Sequence, residues 1–303
     1  MHSVIFRGFA AACLCTATFA QLPGSEDPGN FIQQGQELLR QGKENDALAM
    51  YRRALALNPD SQQANSAAGV AADLAGDYAA ARSYFTKAIQ FASGTVKIRA
   101  LRDMAISYGF SGECKGAVKY AQEAYDMEVA LKDFYNAGEV ANEFARLCID
   151  NGDLDTAYQW YKNGYEAGLR EPDIKPDRKN LWEFRWEHAQ ARIAARRGER
   201  EGAARHVQAA RAALAKGDNP QQEQFLPYLL AYVAFHAGDY KSALGEFQKA
   251  NQNDAFITCM AGETLEKLGD ATLAKDYYRR ALTFTSHNPP VAYARPFARR
   301  KLG

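Results

Sequence analysis

Histidines, cysteines and paired carboxylates are the side chains that could do covalent, acid–base or metal chemistry in this chain. Beyond the first twenty residues it has four histidines, His188, His206, His236 and His287. They lie far apart and none has a second histidine at helical spacing, so a metal centre built on them finds no support. Glu199 and Glu201 sit among arginines in RRGEREG, the pattern of a solvated turn rather than of an acid–base pair. No GxxxxGK[ST], HExxH, GxSxG or GxGxxG motif occurs. Cys114, Cys148 and Cys259 show neither CxxC pairing nor metal-ligand spacing, and their number is odd. Small buried hydrophobes are the expectation for them. One bridge, between Cys114 and Cys148, stays open if their helices lie side by side in an oxidising compartment. The chain is therefore expected to be no enzyme, with no metal and no cofactor.

The elements that must position any site are helical. The 303 residues are 47% apolar and Ala-rich, with abundant Tyr and Phe and only ten prolines. The first residues, MHSVIFRGFAAACLCTATFAQ, place Arg7 before a short apolar run that ends in Thr18-Phe19-Ala20. That is the pattern of a secretory leader cleaved after Ala20. No other segment reaches ~18 uninterrupted apolar residues, so no spanning helix is expected in the mature chain. Lys and Arg number 37 against 36 Asp and Glu, and losing Arg7 with the leader balances them. Such a balance argues against a nucleic-acid or membrane-surface partner. Residues 181–216 hold eight basic and four acidic residues, a surplus too thin to change that.

A repeat organises the chain. FIQQGQELLRQGKENDALAMYRRALALNPD carries Gly35, Leu38, Gly42, Ala47, Tyr51, Ala54 and then Pro59; ANSAAGVAADLAGDYAAARSYFTKAIQ repeats the arrangement with Gly69, Gly76, Tyr78, Ala81, Phe85 and Ala88. Variants follow around Ala105, Gly112 and Ala117, and around Ala145, Gly152, Ala157 and Tyr161. A weaker one holds Ala191, Gly198, Ala203 and Ala210; clear ones run from Ala231 to Ala250 and from Gly262 to Ala281. Small residues let paired helices approach, an aromatic one turn later fills the gap, and a turn glycine ends the first helix.

This register resembles the tetratricopeptide repeat. The resemblance implies an all-α fold: an αα-hairpin solenoid, a right-handed superhelix of about seven repeats. The expected organisation is a leader over 1–20, a linker over 21–27, four repeats over 28–171 and a Pro-containing loop over 172–180 that could act as a hinge. Three repeats over 181–288 and a capping helix over 289–303 with an exposed basic end complete it.

The resemblance also implies that the first helix of each repeat lines a concave face that contacts a protein or peptide. Projected onto that face, the central repeats present Arg99, Arg102, Asn142, Arg146, Arg185, His188 and Arg192, diluted by Asp103, Glu139 and Glu143. Arginine forks suit carboxylates, although a solvated face with internal ion pairs has the same composition. The Lys and Asn pattern by which similar arrays clamp acidic chaperone termini is missing, with Ile32, Gln36 and Ala67 in its place.

The sixth repeat differs. FLPYLLAYVAF, from Phe225, has no charged residue, in a chain that is 24% charged. Its projection leaves Tyr228, Leu229, Tyr232 and Phe235, joined by Phe256 and Met260, as a surplus apolar face. Either this face is a partner groove, with Tyr228, Tyr232 and Phe235 as anchors and Arg146, Arg185 and Arg192 as charge readers, or the superhelix or the segment VAYARPF folds back over it. The function expected is a non-catalytic interaction module, exported. The alternative is an envelope scaffold with the groove filled internally and self-association possible.

Overall fold

The structure, a computed structural model, describes residues 27–303. The expected leader and most of the linker after it lie outside the described residues. Seven helical hairpins follow one another: α1 (Pro28–Arg40) with α2 (Glu44–Leu57), α3 (Gln62–Ala75) with α4 (Tyr78–Gln90), α5 (Gly94–Phe110) with α6 (Cys114–Ala130), and α7 (Phe134–Asp150) with α8 (Leu154–Gly168). After them come α9 (Pro176–Arg196) with α10 (Arg200–Leu214), α11 (Leu226–Ala237) with α12 (Tyr240–Lys249), and α13 (Ala255–Lys267) with α14 (Ala271–Ala281). A last helix, α15 (Pro289–Leu302), has no hairpin partner, and a 3-10 turn (Pro220–Phe225) precedes α11. The chain is thus an all-helical solenoid of the expected kind. Among the described residues no helix is long and apolar enough to cross a membrane.

Gly-Asp pairs punctuate the hairpins. Gly76 and Gly238 adopt φ of 98° and 83°, a left-handed conformation that costs other residues a steric clash, and so end α3 and α11. The aspartate after each, Asp77 or Asp239, accepts a hydrogen bond from the backbone N–H three residues on, at 3.1 Å, and caps the next helix. Within a hairpin, glycine faces aromatic. A Cβ on Gly69 would stand 2.6 Å from the Phe85 ring, so only glycine lets that fully buried ring lie between α3 and α4.

Three features depart from expectation. Cys114 and Cys148 form a disulfide rather than two buried thiols, because antiparallel packing of α6 on α7 brings their Cα atoms to 5.1 Å, within bridging range. Cys259 is free and buried, as expected. The loop expected over 172–180 is shorter, since Pro176 opens α9 at a position where a missing N–H costs nothing. Nor is this joint a loose hinge. Trp182, fully buried on α9, fills space left by Gly138 and Gly168 and donates its indole N–H to Glu171 at 2.7 Å, pinning the loop to the stack.

The first helices of the hairpins form an inner layer, and α15 lies against it. It packs on α5, α7, α13 and α14, so the two ends of the solenoid meet through it. His287, just before α15, has Nε2 2.9 Å from Asp73 and Nδ1 3.4 Å from Asp103. Arg295 pairs with Glu44 at 2.5 Å and donates to the Leu74 carbonyl at 3.1 Å. The basic end of α15, expected to be exposed, is partly engaged: Arg299 donates to the Leu74 carbonyl and Lys301 pairs with Glu266.

Candidate functional site

The inner faces of α5, α7 and α9 converge on a cleft of about 380 Å³. Arg102 comes from α5; Glu139, Asn142, Glu143 and Arg146 from α7; Tyr161 from α8; Phe184, Arg185, His188 and Arg192 from α9. Gln222 and Phe225, ahead of α11, and Pro289 and Pro290, at the start of α15, close it. Successive turns of α7 supply Glu139, Asn142, Glu143 and Arg146, because residues three and four apart share a helix face.

At the rim, charges cancel in pairs. Arg102 Nε donates to Glu143 at 2.8 Å, and Arg185 pairs with Glu139. The floor is different. Arg146 Nε donates to Asp150 at 3.0 Å, and its guanidinium lies 4.4 Å from the centre of the Phe256 ring and 5.4 Å from that of Tyr228. Arg192 donates to the Tyr161 hydroxyl at 2.7 Å and to the Tyr228 hydroxyl at 3.3 Å. Among the described residues Asp150 is thus the one carboxylate that pairs directly with this floor, against two guanidiniums. Arg146 Nη2, Arg192 Nε and His188 Nε2 are buried without a hydrogen-bond partner.

Titration follows from this crowding. Burial opposes the charge on Arg146, but Tyr228 and Asp150 outweigh it; Tyr161 and Tyr228 do the same for Arg192, so both stay charged. Burial pushes the Asp150 carboxyl up against the pull of Arg146 and Arg192. His188 is held well below the usual histidine range, first by burial and then by Arg192 and Arg146, and so is a neutral imidazole at neutral pH. Among the described residues no group of three His, Cys, Asp or Glu side chains could hold a metal ion.

Of the polar candidates read from the sequence, Arg102, Asn142, Arg146, Arg185, His188 and Arg192 reach this cleft. Arg99 does not; it is exposed on α5 outside it. The apolar candidates need correcting. Tyr228, Leu229, Tyr232, Phe235, Phe256 and Met260 are all buried, not an open face. The physical reason is curvature, because the turning stack lays α9 and α13 against α11. Ala194 and Ala195 of α9 and Ile257 and Ala261 of α13 join the same core. Tyr293 from VAYARPF packs on Phe256, with ring centres 4.8 Å apart. The folded-back alternative therefore describes this face. Tyr228 still serves the cleft, but through its hydroxyl on Arg192.

Sequence reading missed Asp150, Tyr161, Phe184, Gln222, Phe225 and the two prolines. Asp150 had a legible signal, four residues beyond Arg146 on the same helix. Tyr161, Gln222, Phe225 and the prolines come from a second helix, a connection and the chain's far end, which no inner-face projection reaches, whereas Phe184 stands on the inner helix α9 beside Arg185.

Models of the tetratricopeptide repeat match residues 32–94 and 258–288. No curated protein sequence matches the chain. Among solved structures, a tetratricopeptide repeat protein from Parabacteroides merdae is similar over 91% of this chain and 97% of its own, at 14% identity and a TM-score of 0.51. The apo form of RapI is similar over 90% and 98%, at 12% identity and 0.56. A putative kinesin light chain with TPR-like repeats from Podospora anserina covers 63% and 98%, at 14% identity and 0.50. At such identities the likeness is one of fold. The chain carries tetratricopeptide repeats, at both ends by direct match, within a solenoid of tetratricopeptide-repeat fold.

Proposed function

We propose that this protein is a non-catalytic protein-interaction module that captures an extended segment of a partner in the cleft, seating a carboxylate of that segment on Arg146 and Arg192. One observation carries the reading: the buried Arg192 and the part-buried Arg146 have, among the described residues, a single directly paired carboxylate, Asp150 on Arg146, and keep buried N–H groups without a partner. Leaving a charge buried without its counter-charge is costly, so an incoming carboxylate restores what the floor lacks. Asn142 and Gln222 offer amides for the segment's backbone, and Phe225, 38% exposed at the mouth, offers an apolar contact. Apolar anchoring by Tyr232 and Phe235 has no place in this mechanism, since both rings are core.

We also propose that the chain is exported. The leader-like first twenty residues and the Cys114–Cys148 bridge both fit an oxidising compartment. The experiment is a crosslinking pull-down from the native extracellular or periplasmic fraction, comparing the wild type with the Arg146→Met, Arg192→Met double variant. Loss of the partner on substitution is expected. A partner recovered equally by both proteins overturns the carboxylate seat. A second reading, a scaffold with a filled groove, is favoured by the buried Tyr232–Phe256–Tyr293 packing. It requires a mass by light scattering that grows with concentration.

A further inference from the structure

The inner face also holds a site that is already occupied. Three carboxylates line a trough beside the first three hairpins: Glu44 on α2, Asp73 on α3 and Asp103 on α5. Each meets a cation that comes from more than 180 residues away in sequence. His287 lies between Asp73 and Asp103 at 2.9 and 3.4 Å, and Arg295 reaches Glu44 at 2.5 Å. Ser107 donates its hydroxyl to Asp73 at 2.9 Å, fixing that carboxylate. The Leu74 carbonyl accepts from both Arg295 and Arg299. Between the charges the fit is one of small residues. Ala292, Ala294 and Ala298 are fully buried, and a Cβ on Gly109 would stand 3.4 Å from that of Ala292.

Two properties distinguish α15 from the other helices. It has no hairpin partner among the described residues, and the non-helical stretch 282–288 separates it from the last hairpin. Its contacts set charge against opposite charge, small residue against glycine and aromatic on aromatic. Without it, Asp73 loses the His287 ring that pairs with it and keeps only the Ser107 hydroxyl and the more distant charge of Arg82. A bare trough is therefore unfavourable, while a trough with a different cationic helix is not.

We propose that this acidic trough is a receptor for a cationic helix, that residues 284–303 are its resident occupant, and that a partner bearing such a helix binds by exchange with them. The partner chemistry is defined by the occupant: an imidazolium or guanidinium just ahead of the helix, an arginine two turns in, and alanine-sized residues facing α5. Because Pro289 and Pro290 wall the cationic cleft, exchange also opens that cleft, making α15 an autoinhibitory contact for it.

The test uses the full chain with a protease site replacing Thr285-Ser286, cut after folding, and a fluorescent synthetic peptide of residues 284–303. The peptide is expected to exchange into the nicked protein, with its His287→Ala, Arg295→Ala version at least tenfold weaker. No incorporation into a nicked protein that stays folded overturns the proposal, as does equal incorporation of both peptides. Hydrogen exchange on the uncut wild type guards against a nicked chain that fails to fold. Amides of 291–302 are expected to exchange at least tenfold faster than those of α7, through local release of α15. Equal protection makes α15 a permanent part of the core and overturns the exchange.

Discussion

Trough and cleft lie side by side on one inner surface, and neighbouring residues of α5 serve them: Asp103 faces the trough, Arg102 the cleft. In the trough, His287 and Arg295 meet three carboxylates from within the chain. In the cleft, Arg146 and Arg192 meet Asp150. The trough is filled by cations of the chain itself; the cleft is open and cationic. Burial of charge is tolerated where a counter-charge arrives, and the two regions differ in whether that counter-charge belongs to the chain. The cleft is accordingly the place where an outside carboxylate gains most.

The sharpest way to break this comparison is to remove the carboxylate paired with the cleft's floor. Asp150→Ala leaves the buried Arg192 and the part-buried Arg146 without that counter-charge, and a loss of about 3–5 kcal/mol is expected in urea unfolding. Arg192→Met relieves the surplus at the expense of two tyrosine hydroxyl partners, and about 1 kcal/mol is expected. If the two variants cost the same, the floor carries no cationic surplus.

The disulfide braces the cleft side. Cys148 stands on α7 between Arg146 and Asp150, and its bridge closes a sequence separation of 34. Cys148→Ser is expected to lower stability by about 3 kcal/mol. It should weaken carboxylate capture while leaving hydrogen-exchange protection around Asp73 unchanged. Equal loosening of trough and cleft would contradict a local brace.

The trough answers to pH. Burial lowers the affinity of His287 for its proton, but Asp103 and Asp73 outweigh this and raise its pKa to about 9, above the ordinary 6.5. A raised value means the folded state holds the proton more tightly. The contribution is complete below about pH 6.5 and is lost as pH rises through about 9, on the order of 3 kcal/mol in all. Unfolding midpoints measured from pH 6 to 9.5 should fall for the wild type and stay flatter for His287→Gln. Parallel curves would mean that His287 is not the bridging cation.

Much of this is legible in the sequence. Gly76-Asp77 and Gly238-Asp239 announce a left-handed helix end followed by a capping aspartate, because few other pairs suit both positions. Gly69 with Phe85 announces a tight hairpin. Local chemistry of that kind is written within one period of the repeat, and so are the inner-face arginines. What escaped is closure. Whether Tyr232 faces solvent or Phe256 depends on the small rotation between successive hairpins, accumulated over the stack, and no single residue encodes it. The Asp73–His287 pair spans a separation of 214 residues, beyond any periodic pattern. Charge was readable as charge, but not as paired or unpaired.

The smallest effect expected is also a boundary marker for the cleft. Arg99 lies on α5 one turn before Arg102, exposed and outside the lining residues. Arg99→Ala should change stability by no more than about 0.5 kcal/mol, as exposed substitutions usually do. It should also leave partner capture intact. Arg102→Ala, by contrast, strips Glu143 of its 2.8 Å partner and turns the rim anionic, so it should weaken capture of a carboxylate severalfold by repulsion. Titrating one acidic peptide against both variants compares them directly. If Arg99→Ala weakens binding as much as Arg102→Ala, the bound segment runs along α5 beyond the cleft, and cationic recognition extends toward the α5 N-terminus instead of ending at the rim.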